Sequence, residues 1–215
     1  MSSESHDGLS ALWLVLATAN PDKTAEIVAV VRDVAGDRIV LVDRPSDVPE
    51  VDETGDTLEE NAFLKASALG EGTGMPAIAD DTGLEVDALD GAPGVRSSRY
   101  SGEHASYADN VAKLLSELER VGAVTPGDRK ARFSTVALAV FPDGRSLVAE
   151  GATEGTISAE AVGSGGFGYD PVFVPDDGDG RTFAQMAPAE KHAISHRGRA
   201  FRALAAGLVT PGGLT

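Results

Sequence analysis

The stretch Ile78-Ala79-Asp80-Asp81-Thr82-Gly83-Leu84-Glu85-Val86 constrains the fold of this chain most, because it sets two adjacent carboxylates between two segments of strand character. Met75 to Ala79 is a short apolar run, and Leu84, Val86 and Ala88 alternate with Glu85 and Asp87 at the period of a half-buried strand. Asp80 and Asp81 are therefore expected where a strand opens into a turn, with Thr82-Gly83 as the turn residues, since Gly tolerates positive φ. Neighbouring carboxylates repel unless a shared proton or a hard cation such as Mg²⁺ neutralises them. The pair is thus a candidate metal or acid/base site. A solvated acidic turn is the plainer alternative, since Asp is common in turns.

The 215 residues suffice for a substantial core, and 42% hydrophobic with 24% charged residues is an ordinary globular composition. Asp and Glu outnumber Lys and Arg by 34 to 18, giving a net charge of -16 that repels a nucleic-acid polymer and an anionic membrane. A small anion remains a possible ligand if basic side chains gather locally or a cation carries the charge. The absence of cysteine excludes disulfides, zinc-thiolate sites and Cys nucleophiles. Residues 1–10 read as a disordered leader without the basic and apolar regions of a secretory signal, and a cytoplasmic location is expected.

Leu12 to Ala17 reads as a buried strand that ends in Thr18-Ala19-Asn20-Pro21-Asp22-Lys23. Asn20 suits an N-cap and Pro21 a first helical residue, so a helix N-terminus with Lys23 in its first turn is aimed at whatever lies beyond the strand. Such an end attracts anions, although a routine strand-to-helix connection with a surface lysine fits equally well. Ile39 to Val42 predicts a second strand. Thr57 with Glu60 forms a capping box for a helix whose buried stripe is Leu58, Ala62, Ala66 and Leu69. Glu53 precedes that cap, and it either supplies oxygen to a metal shared with Asp81 or is solvated.

The loop Asp90 to Gly102 carries Arg96 and Arg99, and Ser106 is placed to cap a helix running to about Val121. Ala131 to Phe141 and Ser146 to Ile157 predict a long hairpin, and Val172 to Val174 a further strand. Gly163 to Pro171 concentrates glycine around Phe167 and Tyr169, as a backbone approaching a flat ligand would require, or as a flexible surface loop. Glu190 to Arg199 is the strongly basic stretch of the chain. His192 and His196 could share a helix face as metal ligands, but the His-Glu-x-x-His pattern is not met. Lys191, His196 and Arg197 as readers of an anion or a base edge are the alternative, beside a plain surface cluster.

Together these stretches resemble the Ham1-like inosine triphosphate pyrophosphatases, also called XTP/dITP diphosphatases, from about Leu14 to about Leu204 and with the motifs in the family's order. The resemblance implies an α/β fold: a long mixed central β-sheet with flanking helices, and two lobes enclosing a nucleotide-binding cleft, usually in a homodimer. The domain would span residues 11–209, with 210–215 as a tail. It implies Mg²⁺-dependent hydrolysis of XTP, ITP and dITP to the monophosphate and pyrophosphate. Alternatives are a pyrophosphatase for other modified nucleotides or a non-catalytic nucleotide-binding regulator.

By the same resemblance, Asp81 and Lys23 are catalytic, and Glu53 and Asp81 hold the metal. Thr18, Ala19, Asn20, Pro21, Asp22 and Lys23 form the triphosphate loop, and Thr82 contacts substrate. Phe167, Gly168, Tyr169 and Asp170 stack on and edge the base, and Lys191, His196 and Arg197 complete the contacts. Ala19 replaces the family's usual Gly, and Thr82 its commoner Ser.

Overall fold

A computed structural model describes residues 11–210; the leader expected at 1–10 and residues 211–215 of the tail lie outside the described residues. The first apolar run forms β1 (Leu12–Leu16). Helix α1 (Pro21–Ala35) begins as its residues require: Asn20 has extended backbone, its side chain accepts from the Asp22 and Lys23 amides, and Pro21 fills the first turn. Strand β2 (Ile39–Val42) then lies parallel to β1. Helix α2 (Leu58–Thr73) carries the expected capping box and stops at Gly74, which takes the left-handed conformation.

Thr82-Gly83, expected as a turn, lies inside a strand. Ala77–Val86 is one strand of 10 residues, β3, paired without interruption to β5 (Lys130–Val140) from Ala77 opposite Val140 to Val86 opposite Ala131. The long non-local ladder overrides the low strand preference of Asp and Gly. Gly83 serves close approach instead of positive φ. A Cβ there would sit 2.9 Å from the carbonyl oxygen of Gly94 in the short strand β4 (Pro93–Gly94), which pairs with β3.

Helix α3 (Tyr107–Arg120) is capped by Ser106 as expected, and the hairpin of β5 and β6 (Ser146–Ile157) leads to β7 (Phe173–Pro175). The 7-stranded sheet runs β2-β1-β3-β5-β6-β7, with β4 beside β3. Pairing is parallel around β1 and antiparallel beyond β3, so the sheet is mixed. Two helices close the described chain, α4 (Pro188–Ile194) and α5 (His196–Val209).

Strand alternation distributes the core. Leu14, Leu16 and Ile78 pack with Ile27 and Val31 of α1 and Phe201 and Leu204 of α5. Val15, Ala77 and Ala79 point to the opposite face, where α2 supplies Ala62, Ala66 and Leu69. Farther along β3, on the face of Ile78, Leu84 and Val86 join a separate cluster with Leu114, Leu118, Phe133 and Phe173. Between these two cores that face of β3 presents Asp80 and Thr82, so a polar gap separates them.

Candidate active site

The two adjacent aspartates point to opposite faces of β3 and meet different partners. Asp80 is buried against Arg197, whose Nε and Nη2 each donate to Oδ2 at 3.2 Å, with Lys23 Nζ 3.4 Å away and the Thr82 hydroxyl donating at 3.2 Å. Burial alone would raise its pKa, but Lys23 and Arg197 outweigh that and hold the carboxyl well below the usual range. Asp81 faces α2. Lys65 Nζ donates to its Oδ1 at 3.0 Å and Asn61 Nδ2 to its Oδ2 at 3.3 Å. Here burial prevails, with a contribution from nearby Glu53, and the Asp81 pKa is raised despite Lys65. Strand alternation thus relieves the repulsion that the sequence suggested.

Glu53 reaches the same point from the loop before α2. Lys65 Nζ donates to Glu53 Oε1 at 2.8 Å, and Arg99 Nη1 to Glu53 Oε2 at 3.0 Å. The loop is set by Asn61, whose Oδ1 accepts from the Gly55 amide at 2.8 Å. Burial lowers the pKa of Lys65, yet Asp81, Asp80 and Glu53 outweigh it and the net shift is upward, so the ammonium stays charged.

A cavity of about 360 Å³ opens beside this group; its wall includes Thr18, Ala19, Asn20, Lys23, Glu53, Lys65, Asp80 and Arg99, with Arg44, Glu50 and Asp52 adding further charge. Thr18 Oγ1 accepts from the Asn20 amide, and Asn20 Nδ2 donates to the Tyr107 hydroxyl at 2.8 Å. Pro21 and Asp22, expected in the triphosphate loop, are exposed in the first turn of α1 and line neither this cavity nor its neighbour.

The neighbouring cavity, about 120 Å³, shares Asn20, Lys23 and Glu53 and adds Asp81, Thr82, Tyr107, Phe167, Gly168, Tyr169, Asp170, Lys191, His196 and Arg197. Phe167 lies 5.9 Å from the Tyr107 ring. Lys191 Nζ sits 4.8 Å from the Phe167 centroid and donates to both Asp170 and Glu26 at 2.6 Å. Arg197 Nη1 also donates to Glu26, at 2.6 Å, while its other nitrogens hold Asp80. Buried Tyr169 donates to the Ser97 carbonyl at 2.9 Å.

The glycines around Phe167 approach the chain itself. A Cβ on Gly166, whose φ is +65°, would lie 2.0 Å from the Asp170 carboxylate, and one on Gly163 would lie 2.6 Å from the Ala184 backbone. His196 is buried and stacks on Phe133 at 4.3 Å, with Nδ1 lacking a hydrogen-bond partner. Burial, reinforced by Arg197 and Lys191, drives its pKa well below the usual value, so the ring is neutral. His192 and His196 lie on separate helices with the break at Ser195, and among the described residues no three His, Cys, Asp or Glu side chains are grouped to hold a metal.

Glu26, Asn61, Lys65 and Tyr107 complete the site and were not singled out from the sequence; Arg99 joins them from the loop whose arginines the sequence did mark, while Arg96 lines neither cavity. For Glu26 and Lys65 a local signal existed. Glu26 follows Lys23 by one helical turn, and Lys65 stands one turn after Asn61 beside the apolar stripe of α2.

Residues 14–207 match the model of the Ham1 family. The dITP/XTP pyrophosphatase of Streptomyces coelicolor is 45% identical over 192 residues, covering 89% of this chain and 94% of that protein. The dITP/XTP pyrophosphatase of Geobacter sulfurreducens is 48% identical over 191 residues, with the same coverage of 89% and 94%. Among solved structures, a HAM1 protein from Coxiella burnetii superposes with a TM-score of 0.81 at 41% identity, covering 92% of this chain and 98% of that one.

Proposed function

The chain belongs to the Ham1 family, and from that premise we propose that it hydrolyses non-standard purine nucleoside triphosphates such as XTP, ITP and dITP to the monophosphate and pyrophosphate. The names of its relatives support this reading. The observation that carries it is the junction of a charged cavity, where Lys23, Arg44, Lys65 and Arg99 stand among Glu50, Asp52, Glu53 and Asp80, with an aromatic one, with Lys23 and Glu53 in the walls of both and Asp81 in the second. Phosphates fit the first and a purine the second.

Glu53 and Asp81 would hold Mg²⁺. Their oxygens already converge on a single cationic atom, Lys65 Nζ, an arrangement that supports the pair as joint ligands of a cation. When bound, the metal supplies Lewis acidity at the phosphoryl oxygens. Asp81, its pKa raised by burial, accepts the proton of the attacking water. The water oxygen bonds to the α-phosphorus, the bond to the β-phosphate bridging oxygen breaks, and pyrophosphate leaves. Lys23 offsets phosphate charge. Phe167 offers its ring to the purine, and Lys191, tied to Glu26 and Asp170, holds the aromatic wall. A 6-keto purine presents an acceptor at O6 where adenine presents a donor, so a donor of this wall discriminates against adenine. The working unit is proposed to be a homodimer.

The test is incubation with Mg²⁺ and ITP, dITP, XTP, GTP or ATP, with pyrophosphate and orthophosphate assayed separately. Pyrophosphate is expected from the first three, abolished by chelation and reduced about 100-fold or more in kcat by Asp81→Asn. Orthophosphate as first product, or equal turnover of ATP, would overturn the reading.

A further inference from the structure

Lys65 occupies the position that the reading above gives to the metal. Its Nζ lies 2.8 Å from Glu53 Oε1 and 3.0 Å from Asp81 Oδ1. The remaining oxygens of the two carboxylates are held by Arg99 Nη1 at 3.0 Å and Asn61 Nδ2 at 3.3 Å. Two carboxylates therefore face two cations, and the group is neutral before a ligand arrives. A divalent ion ligated at roughly 2.1 Å needs the oxygens and the space that the ammonium fills. Added alone, it would also leave two positive charges unbalanced in a partly desolvated cleft. A nucleoside triphosphate brings that balance with it. The Lys65 side chain has room to withdraw, since it borders the cavity of about 360 Å³.

We propose that Lys65 is an internal stand-in for the metal: its ammonium holds Glu53 and Asp81 in the empty cleft and keeps a divalent cation out until nucleotide phosphates enter. The inference rests on the metal-dependent reading above. It makes Lys65 a positioning residue that sets the order of binding, with metal entering together with nucleotide and not ahead of it. Lys65 removal then has opposite effects on two readouts, strengthening metal binding to the free protein and weakening turnover.

The experiment measures Mn²⁺ binding to the full chain by electron paramagnetic resonance, with folding checked by circular dichroism. Without nucleotide, Lys65→Gln is expected to bind Mn²⁺ about tenfold or more tightly than the wild type. Lys65→Arg should behave as the wild type, and adding Asp81→Asn to Lys65→Gln should remove the gain. With an α,β-imido analogue of ITP, the wild type should take up Mn²⁺ tightly. A Lys65→Gln protein that binds free Mn²⁺ no better than the wild type overturns the proposal. A wild type that recruits no Mn²⁺ even with the analogue overturns the metal-dependent reading instead. If Lys65→Gln does not fold, carbon NMR of the reductively methylated wild type decides. Its Lys65 resonance, assigned with Lys65→Arg, should move with Mg²⁺ plus analogue and stay with Mg²⁺ alone. Movement with Mg²⁺ alone overturns the proposal.

Discussion

Asp80 serves as a structural charge and Asp81 as the proposed reactive one, although they are sequence neighbours. Asp80 lies between Arg197 and Lys23, and its pKa is held down by Lys23 and Arg197 against the effect of burial. A carboxyl with a depressed folded-state pKa stabilises the fold fully above its unfolded value near 4, and loses that contribution as pH falls toward the folded value. Asp80→Asn should therefore cost about 3 kcal/mol or more at pH 7, since it breaks a buried pair. The gap to the wild type should narrow below about pH 4. Urea denaturation at pH 7 and pH 3.5 measures both, and equal stability at pH 7 would show that the pair contributes nothing net. At this scale the sequence was informative where residues act through their neighbours: Asn20 caps α1 and presents Lys23 as expected. For Glu26 the sequence offered only its place one turn after Lys23, because its role comes from Lys191 and Arg197, 165 and 171 residues away.

Elements were legible where their signals are local, as for the capped starts of α1, α2 and α3. β3 was misread as two strands parted by a turn at Thr82-Gly83 because its continuity depends on pairing with β5 and not on its own residues. The same non-local logic governs the seat of α5. A Cβ on Gly151 of β6 would lie 2.2 Å from the His196 carbonyl oxygen and 2.5 Å from the Ala200 amide nitrogen. Neither backbone atom can yield without moving the helix, and α5 carries His196 and Arg197 into the cleft. Gly151→Ala should thus destabilise by about 1–3 kcal/mol through overpacking. It should also raise KM for ITP by more than it lowers kcat, because Lys23, Glu53 and Asp81 stand on other elements. Thermal melts and initial rates check this together, and an unshifted melting temperature would mean that α5 is not seated through this contact.

The whole molecule sets a net charge of -16 against a cleft that gathers Lys23, Lys65, Arg99, Lys191 and Arg197. The acidic excess was plain in the composition; the gathering of these cations depended on folding, which brings them from α1, α2, α4, α5 and the loop of Arg99 to pair with Glu53, Asp80, Asp81 and Asp170 in the cleft, so the excess acid lies elsewhere on the molecule. That separation bears on the proposed homodimer. Trp13 and Phe63 leave large apolar side chains 54% and 47% exposed, surface that a subunit contact can cover. Two protomers of the same sign repel as they approach, with a range of about 8 Å at physiological salt and about 20 Å or more at a tenth of it. Ion pairs within each protomer respond less: the cleft pairs are shielded from solvent, and the exposed ones contribute about 0–1 kcal/mol each. Repulsion between protomers is therefore the term that salt relieves most, so association should strengthen as NaCl rises from about 20 to 300 mM. Sedimentation velocity over a range of protein concentrations reads this directly. A species of about twice the 22.1 kDa chain mass should gain population with salt, whereas a monomer at every concentration and both salts would remove the homodimer.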